Sequence, residues 1–353
     1  MATSFAPATY AFLLASLLTA GLIVLMRGST FARMSIDHPN HRSLHHQPTP
    51  RIGGIAMLLA VSACLLAWPH KGVPPAMLLL VGLLAVVSLL DDRSDLPILL
   101  RLATHIAAAT LMVLVWVGTA TLAQGGGSRI AAWLLTAHGA VLLILALCWM
   151  ANLFNFMDGA NGLAGGMTAI GFGTFAIAAA LSPTQHVGIT LVCAAIAGAA
   201  CGFLLFNFPR ARVFMGDAGS VPAGFLAAAI AVQGNLSHMW PWWFGLMIFS
   251  PFIVDATATI GRRIARGDKF WLAHREHYYQ RLILSGWSHT KTVLSYYFLM
   301  LCSAISALIS QNSELLYPIA LFWVITYSLL IFSLEWRFHQ KNNDKTKKHP
   351  GAT

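Results

Sequence analysis

The sequence predicts an all-α polytopic membrane protein whose chemistry lies on one face of the bilayer. Three observations predict it. Of 353 residues, 57% are hydrophobic and only 10% charged, against about 25% charged in an average soluble domain. Apolar runs of helix-spanning length recur from end to end, and mean hydropathy is +0.69. Lys and Arg then fall almost entirely into alternate connecting segments. A soluble chain of this length could not cover its surface with so few charges, so one continuous membrane domain is expected.

With about 20 apolar residues per crossing, eleven runs read as spans: 8–26, 52–68, 74–90, 99–118, 131–150, 167–182, 186–206, 221–236, 240–260, 292–310 and 315–334. The runs 167–182 and 221–236 are short and rich in Gly and Ala, as suits helices held among neighbours. The first run has no basic residue before it and Arg27 and Arg33 after it, the reverse of a signal peptide, and reads as a retained span. All but two of the 22 Lys and Arg residues, Lys71 and Arg129, lie on one side of this topology. The positive-inside rule puts that side in the cytosol, with the N-terminus outside and the C-terminus inside. The net charge of +10 is therefore read as topology and not as nucleic-acid binding. The expected cytosolic segments are about 27–51, 91–98, 151–166, 207–220 and 261–291. The membrane domain takes in 1–336, and 337–353 reads as a basic, disordered cytosolic tail touching anionic headgroups. Five cysteines sit inside apolar runs without a CxxC pair and read as small buried hydrophobes.

The polar residues collect in the cytosolic segments. The first, DHPNHRSLHHQPTPRIGG (37–54), carries basic and imidazole groups suited to an anionic ligand, and its Gly53-Gly54 allows close backbone approach. His45-His46 has no ligand-spaced Cys or carboxylate beside it and does not read as a metal site. DDRSDL (91–96) follows directly on an apolar run. Adjacent carboxylates repel, which suits Asp91 and Asp92 to a metal or to general-base work beside a phosphate; a solvated helix end is the plainer alternative.

NLFNFMDGANGLAGG (152–166) is too polar for hydrocarbon. Asn152, Asn155 and Asp158, three apart, share one face of a helical extension, and Gly159 and Gly162 then open the backbone. Amides, a carboxylate and free N–H groups suit a nucleotide or hydrated Mg²⁺. In NFPRARVFMGDAGS (207–220), Arg210 and Arg212 can meet phosphates, and Asp217 between Gly216 and Gly219 is a ready Mg²⁺ ligand. The segment 261–291 is basic, aromatic and amphipathic, an interfacial stretch in which His274 and His277 stand beside Arg275 and Arg281. Together these supply Mg²⁺-dependent phosphoryl chemistry between a soluble nucleotide and a lipid phosphate. An ion-coupled transporter is the rival reading. It needs ionisable groups at mid-membrane on several spans, and Asp255 is the single carboxylate well inside one.

These residues resemble the polyprenyl-phosphate N-acetylhexosamine-1-phosphate transferases. The motifs at 37–54, 91–96, 152–166, 213–220 and 274–287 stand in that family's order across nearly the whole chain. The resemblance implies a Mg²⁺-dependent phosphotransferase of the bacterial inner membrane, with Mn²⁺ as an alternative ion. It would move a sugar-1-phosphate from a UDP-N-acetylamino sugar to undecaprenyl phosphate, release UMP, and so start O-antigen (lipopolysaccharide) or other cell-envelope polysaccharide synthesis. A homodimer is a further expectation, and a UDP-GlcNAc-specific member of the family is an alternative.

By the same resemblance Asp91 and Asp92 match the family's aspartate pair, the first a general base toward the lipid phosphate or a nucleophile. Asp217 matches the Mg²⁺ ligand. Asn152, Asn155 and Asp158 match positions near metal and nucleotide, Phe214 an aromatic near the nucleobase, and His277 a histidine near the pyrophosphate. Asn207, Arg51 and Arg275 complete the implied substrate-binding set. Two departures stand out. Asn161 replaces an aspartate expected near the uracil edge. Tyr279 and Gln280 replace the later histidines of the His-rich motif, which sets the chain apart from the phospho-MurNAc-pentapeptide translocases and closer to the O-antigen-initiating branch.

Overall fold

The structure, a computed structural model, describes the chain except residues 1, 40–43, 45–46, 69–72, 123–132, 134–135, 185, 270–271, 273, 312 and 349–353. The expected His45-His46 pair lies outside the described residues. The elements are α1 (Ala2–Arg27), α2 (Thr30–Met34), β1 (Ile36–Asp37), β2 (Thr49–Pro50), α3 (Gly53–Ala67), α4 (Pro75–Ser94), α5 (Ile98–Leu122), α6 (Ala137–Met157), α7 (Leu163–Leu181), α8 (Val187–Asn207), α9 (Asp217–Leu236), α10 (Phe244–Ile248), α11 (Ser250–Ala265), α12 (Tyr278–Leu284), α13 (His289–Ile309), a 3₁₀ turn (Ser313–Leu315) and α14 (Leu316–Lys348).

Among the described residues nine helices are long and apolar enough to cross a bilayer, and α3 is a shorter apolar helix. That is fewer than the eleven runs counted from the sequence. Over 240–260 the single expected helix is two, α10 and α11, parted at Phe249. The cause is Pro251: its ring lacks an N–H and disfavours helix in the residue before it. The Ser250 hydroxyl donates to the Met247 carbonyl at 2.8 Å, meeting an acceptor that would otherwise be stranded in hydrocarbon. The other correction is at the C-terminal end. The stretch expected to be a disordered tail is helical as far as Lys348, a continuation of α14.

The centre is built from α7, α8 and α9, whose apolar windows are mostly buried, as the small residues of α7 and α9 predicted. Helix α8 lies along α1 and α7, α9 packs on α6 and α4, α5 fills the space between α4 and α6, and α13 packs on α7 and α10. Phe154, Phe172, Phe175, Phe249 and Phe252 interlock at the middle. Leu79, Leu83, Val86 and Leu90 on α4 stay exposed, the side that faces lipid when no water competes for it. All five cysteines are free.

Candidate active site

The chain ends of β2, α3, α4, α6 and α9 meet at one end of the bundle. β1 and β2 pair antiparallel, Ile36 opposite Pro50 and Asp37 opposite Thr49. The 213–216 segment runs alongside: Phe214 N–H donates to Pro50 O, Gly53 N–H to Phe214 O and Gly54 N–H to Met215 O, each at 2.9 Å. The first N–H groups of α3, which have no partner within their own helix, are thus satisfied by the next loop. This needs backbones in contact. A Cβ on Gly54 would run into the Gly219 backbone, so the Gly53-Gly54 pair is a packing device here. Gly216, at φ 75°, then turns the chain into α9, whose first residue is Asp217.

Asp91 and Asp92 are adjacent on the last turn of α4 and so point apart. Asp91 is buried; it accepts from Arg101 Nη1 at 2.7 Å and from Leu96 N–H at 2.8 Å. Asp92 turns inward to accept from Arg51 Nη1 at 2.9 Å and Ala218 N–H at 3.2 Å. Arg51 also donates to Asp37 at 2.7 Å. Burial works against the Arg51 charge, but Asp37 and Asp92 outweigh it and raise its pKa.

Asp158 caps the C-terminus of α6 and faces the same point. Burial, then the negative charges of Asp217 and Asp92, push its carboxyl well above the usual range, with Arg51 and the Gly216 N–H pulling the other way. Asn155, one turn earlier on α6, reaches Ser220 Oγ at 3.3 Å and the Asp217 carboxylate. Three carboxylates from three separate segments therefore feel one another; Arg51 offsets all three, and Arg101 also acts on Asp217. Such an excess of negative charge costs stability unless a cation joins it.

The donor set is hard oxygen, which fits Mg²⁺ or Mn²⁺. Among the described residues no three His, Cys or carboxylate groups close on a common point tightly enough to hold a metal alone. Mg²⁺ is usually held by one or two carboxylates with waters and substrate phosphates, so Asp217 with Asp92 or Asp158 meets that need.

The remaining expected residues are spread around this centre. Asn152 faces α5, with Nδ2 2.7 Å from Cys148 O and 3.2 Å from His105 Nδ1. Asn207 is buried; it accepts from Gly162 N–H at 2.5 Å and donates to Val213 O at 2.8 Å, tying the two glycine-rich loops together. Asn161 donates to Pro209 O at 3.2 Å. Phe214 contributes its backbone to the β2 edge, and Arg275 is exposed. His277 is buried, its ring between Phe156 (centroids 5.9 Å apart) and Tyr279 (6.0 Å). His274 lies 5.0 Å from it and is pushed down to about 4, by burial first and then by His277 and Arg263.

Beside the histidines four arginines share two glutamates in an ion network. Arg262 and Arg281 both donate to Glu335 of α14, where the Tyr278 hydroxyl also binds, while Arg263 and Arg266 hold Glu276. Arg101 was missed. Its signal was spacing: it starts the helix that follows the aspartate pair, within reach of Asp91.

Residues 75–235 match the family described as Glycosyl transferase family 4. The chain is 33% identical to the decaprenyl-phosphate N-acetylglucosaminephosphotransferase of Mycolicibacterium smegmatis over 301 residues, covering 74% of this chain and 72% of that one. It belongs to this family of polyprenyl-phosphate N-acetylhexosamine-1-phosphate transferases. Other members it resembles are the undecaprenyl-phosphate alpha-N-acetylglucosaminyl 1-phosphate transferase of Yersinia pestis, 29% identical over 85% of this chain and 82% of that one. The phospho-N-acetylmuramoyl-pentapeptide-transferase of Halalkalibacterium halodurans is 34% identical but over 47% of this chain and 50% of that one. Within the family the match at 75–235 takes in Asp91, Asp92, Asn155, Asp158 and Asp217, the residues that the fold brings together.

Proposed function

We propose that the protein transfers an N-acetylamino-sugar 1-phosphate from a UDP-sugar to undecaprenyl phosphate at the cytosolic face of the bacterial inner membrane. The observation that carries this is the convergence of Asp92, Asp158 and Asp217 around Arg51. In the balanced reaction an oxygen of the lipid phosphate bonds to the β-phosphorus of the UDP-sugar, the bond from that phosphorus to the α,β-bridging oxygen breaks, and UMP leaves with the electron pair. A Mg²⁺ bound at Asp217 would neutralise the pyrophosphate oxygens and the departing charge.

The chain's own groups do the rest. Arg51 offers its guanidinium to phosphate oxygens from the rim of the carboxylates. Asp91 and Asp92 each accept two hydrogen bonds, Asp91 from Arg101 and Leu96 N–H and Asp92 from Arg51 and Ala218 N–H; Asp92, the one turned toward Asp217, is the member of the pair that would meet the attacking phosphate, as base or as nucleophile. Asp158 faces the same point from the C-terminal end of α6. Asn161 and Phe214 border the loops where the nucleotide would lie. An apolar groove of about 440 Å³ between α6, α9, α10 and α11, lined by Met150, Val232, Phe249 and Ile253, suits part of a prenyl chain.

The relatives' names favour N-acetylglucosamine as the sugar, and the His-rich motif favours an O-antigen-initiating branch. UMP release is to be measured from the purified protein with undecaprenyl phosphate, Mg²⁺ and a panel of UDP-sugars. The expected result is lipid-dependent and Mg²⁺-dependent UMP from one or more N-acetylamino donors. Lipid-independent release, or none from any donor, sinks the reading. Single-turnover trapping with the UDP-sugar alone separates the two roles of the aspartate pair: a phosphosugar–enzyme adduct means nucleophile.

A further inference from the structure

Asp255 sits in the middle of α11, 3% exposed. A carboxylate buried that deeply must be met by donors, and it is. Oδ1 accepts from Tyr278 N–H at 2.8 Å and from Thr259 Oγ1 at 3.3 Å. Oδ2 accepts from Tyr279 N–H at 3.1 Å and from the Tyr296 hydroxyl. Every one of these donors belongs to the protein.

Docking α12 would explain the two backbone bonds. It also accounts for part of His277, which heads α12 in a capping box with Gln280, but not for the surroundings of the ring. That ring, just ahead of α12, has its Nδ1 buried with no partner at hydrogen-bond distance among the described residues. The group in front of it is the Asp255 carboxylate, with Oδ1 3.5 Å away. The ring plane is set independently. His277 stacks on Phe156 at an interplanar angle of 28° and on Tyr279 at 17°. Phe156 lies between Asn155 and Asp158, on the turn of α6 that enters the carboxylate centre, and the Tyr279 hydroxyl is bonded to the Phe156 carbonyl at 3.0 Å. Two rings fix the tilt of the imidazole, and one carboxylate addresses one of its two nitrogens. A carboxylate at one ring nitrogen decides which nitrogen carries the proton.

We propose that Asp255 is a positioning residue for the transfer reaction: it keeps the N–H of His277 on Nδ1, directed at its own carboxylate, and so commits Nε2 to the pyrophosphate of the sugar donor. The inference rests on the transferase reading above. Thr259 and Tyr296 serve the same end by holding the carboxylate still. An amide at 255 would offer His277 either an acceptor or a donor and lose the selection, while keeping the shape of the site.

The test is steady-state UMP release by the full-length purified protein for Asp255→Asn, His277→Gln and the double variant, with unfolding temperature measured alongside. D255N is expected to lower kcat about 10- to 100-fold, the cost usual for removing the partner that orients a working histidine. Its KM for the UDP-sugar is expected to stay within about threefold. In the H277Q background D255N is expected to cost nothing further. An equal loss in both backgrounds overturns the proposal, because Asp255 would then act without His277; so does a raised KM with kcat unchanged, or full activity in H277Q. Should D255N fail to fold, Tyr296→Phe takes its place, with a several-fold loss of kcat that vanishes in H277Q; a loss that persists there overturns it. Absence of UMP from the unaltered protein would instead bring down the transferase reading itself, and this proposal with it.

Discussion

Two charged regions share one end of the bundle and are built on opposite plans. Around Glu276 and Glu335 every carboxylate has arginines and every arginine named there has a carboxylate. Around Asp217 the carboxylates of Asp91, Asp92, Asp158 and Asp217 itself outnumber the guanidiniums of Arg51 and Arg101. Both are clusters of ionisable residues on cytosolic-type segments, and sequence composition does not tell them apart. Charge balance does. A network in which each carboxylate has its own arginines reads as structure, whereas one with an excess of carboxylates is completed by a cation and reads as a site.

The comparison can be broken most sharply at Asp217. Asp217→Asn should lower UMP release by at least about 1,000-fold, since a bound cation supplies several kcal/mol to the transition state and about 1.4 kcal/mol is tenfold. Without divalent cations the same variant should melt no lower than the unaltered protein, because a repelling charge has gone, and added Mg²⁺ should no longer raise its melting temperature. Activity within tenfold would remove Asp217 from the metal role.

Arg51→Gln tests the same region from its other side. It strips the cation that offsets Asp92, and should destabilise the metal-free protein by about 1–3 kcal/mol. Saturating Mg²⁺ should restore part of that, which chemical denaturation in detergent can measure.

The balanced region should respond with the opposite sign. Glu276→Gln is expected to lower stability by about 1 kcal/mol, kept small because the side chain is partly exposed. Burial acts to raise the Glu276 carboxyl, but the hydrogen bond and charge of Arg266, with Arg263 and Arg262, hold it below its ordinary value. A depressed carboxyl stabilises the fold above its unfolded pKa and stops doing so as pH falls through its folded one. Melting temperature should therefore drop in acid, below about pH 4.5, and by less in E276Q; equal acid profiles for the two proteins would contradict the network. The smallest effect is expected at Asn161. Asn161→Asp loses the donor to Pro209 and should change the KM for the UDP-sugar by up to about tenfold, with kcat within about threefold. Loss of folding there would make Asn161 structural.

How far the sequence could be read follows from what each residue depends on. Asp92, Asp158 and Asp217 could be named as candidates because each sits where an apolar run meets a polar loop, a feature local to the chain; that the fold brings them together was not legible there. A face shared by Asn152, Asn155 and Asp158 was expected from three-residue spacing; α6 does extend through the two asparagines to Asp158, but Asn152 meets His105 of α5 while Asn155 meets Ser220 of α9. What Asn207 does was not legible: it sutures Gly162 to Val213, a contact across 45 residues that no local pattern carries. Asp91 and Asp92 looked like one unit, but neighbours on a helix diverge by about 100°, and Arg101 takes one while Arg51 takes the other. The break at Phe249 was signalled by Pro251 and overridden by the apolar run around it. Asp255 stood out as an oddity, and its partners became visible once α12 was folded against α11.

Glu335 has a consequence in time as well as in space. It belongs to α14, the last of the described helices to leave the ribosome, yet it is the acceptor for Arg262, Arg281 and Tyr278, which brace the segment carrying His277. The carboxylate centre can assemble as soon as α9 is inserted. The histidine side is braced when α14 arrives about 100 residues later, so in a nascent chain the acidic half can be complete while the segment carrying His277 is still unbraced.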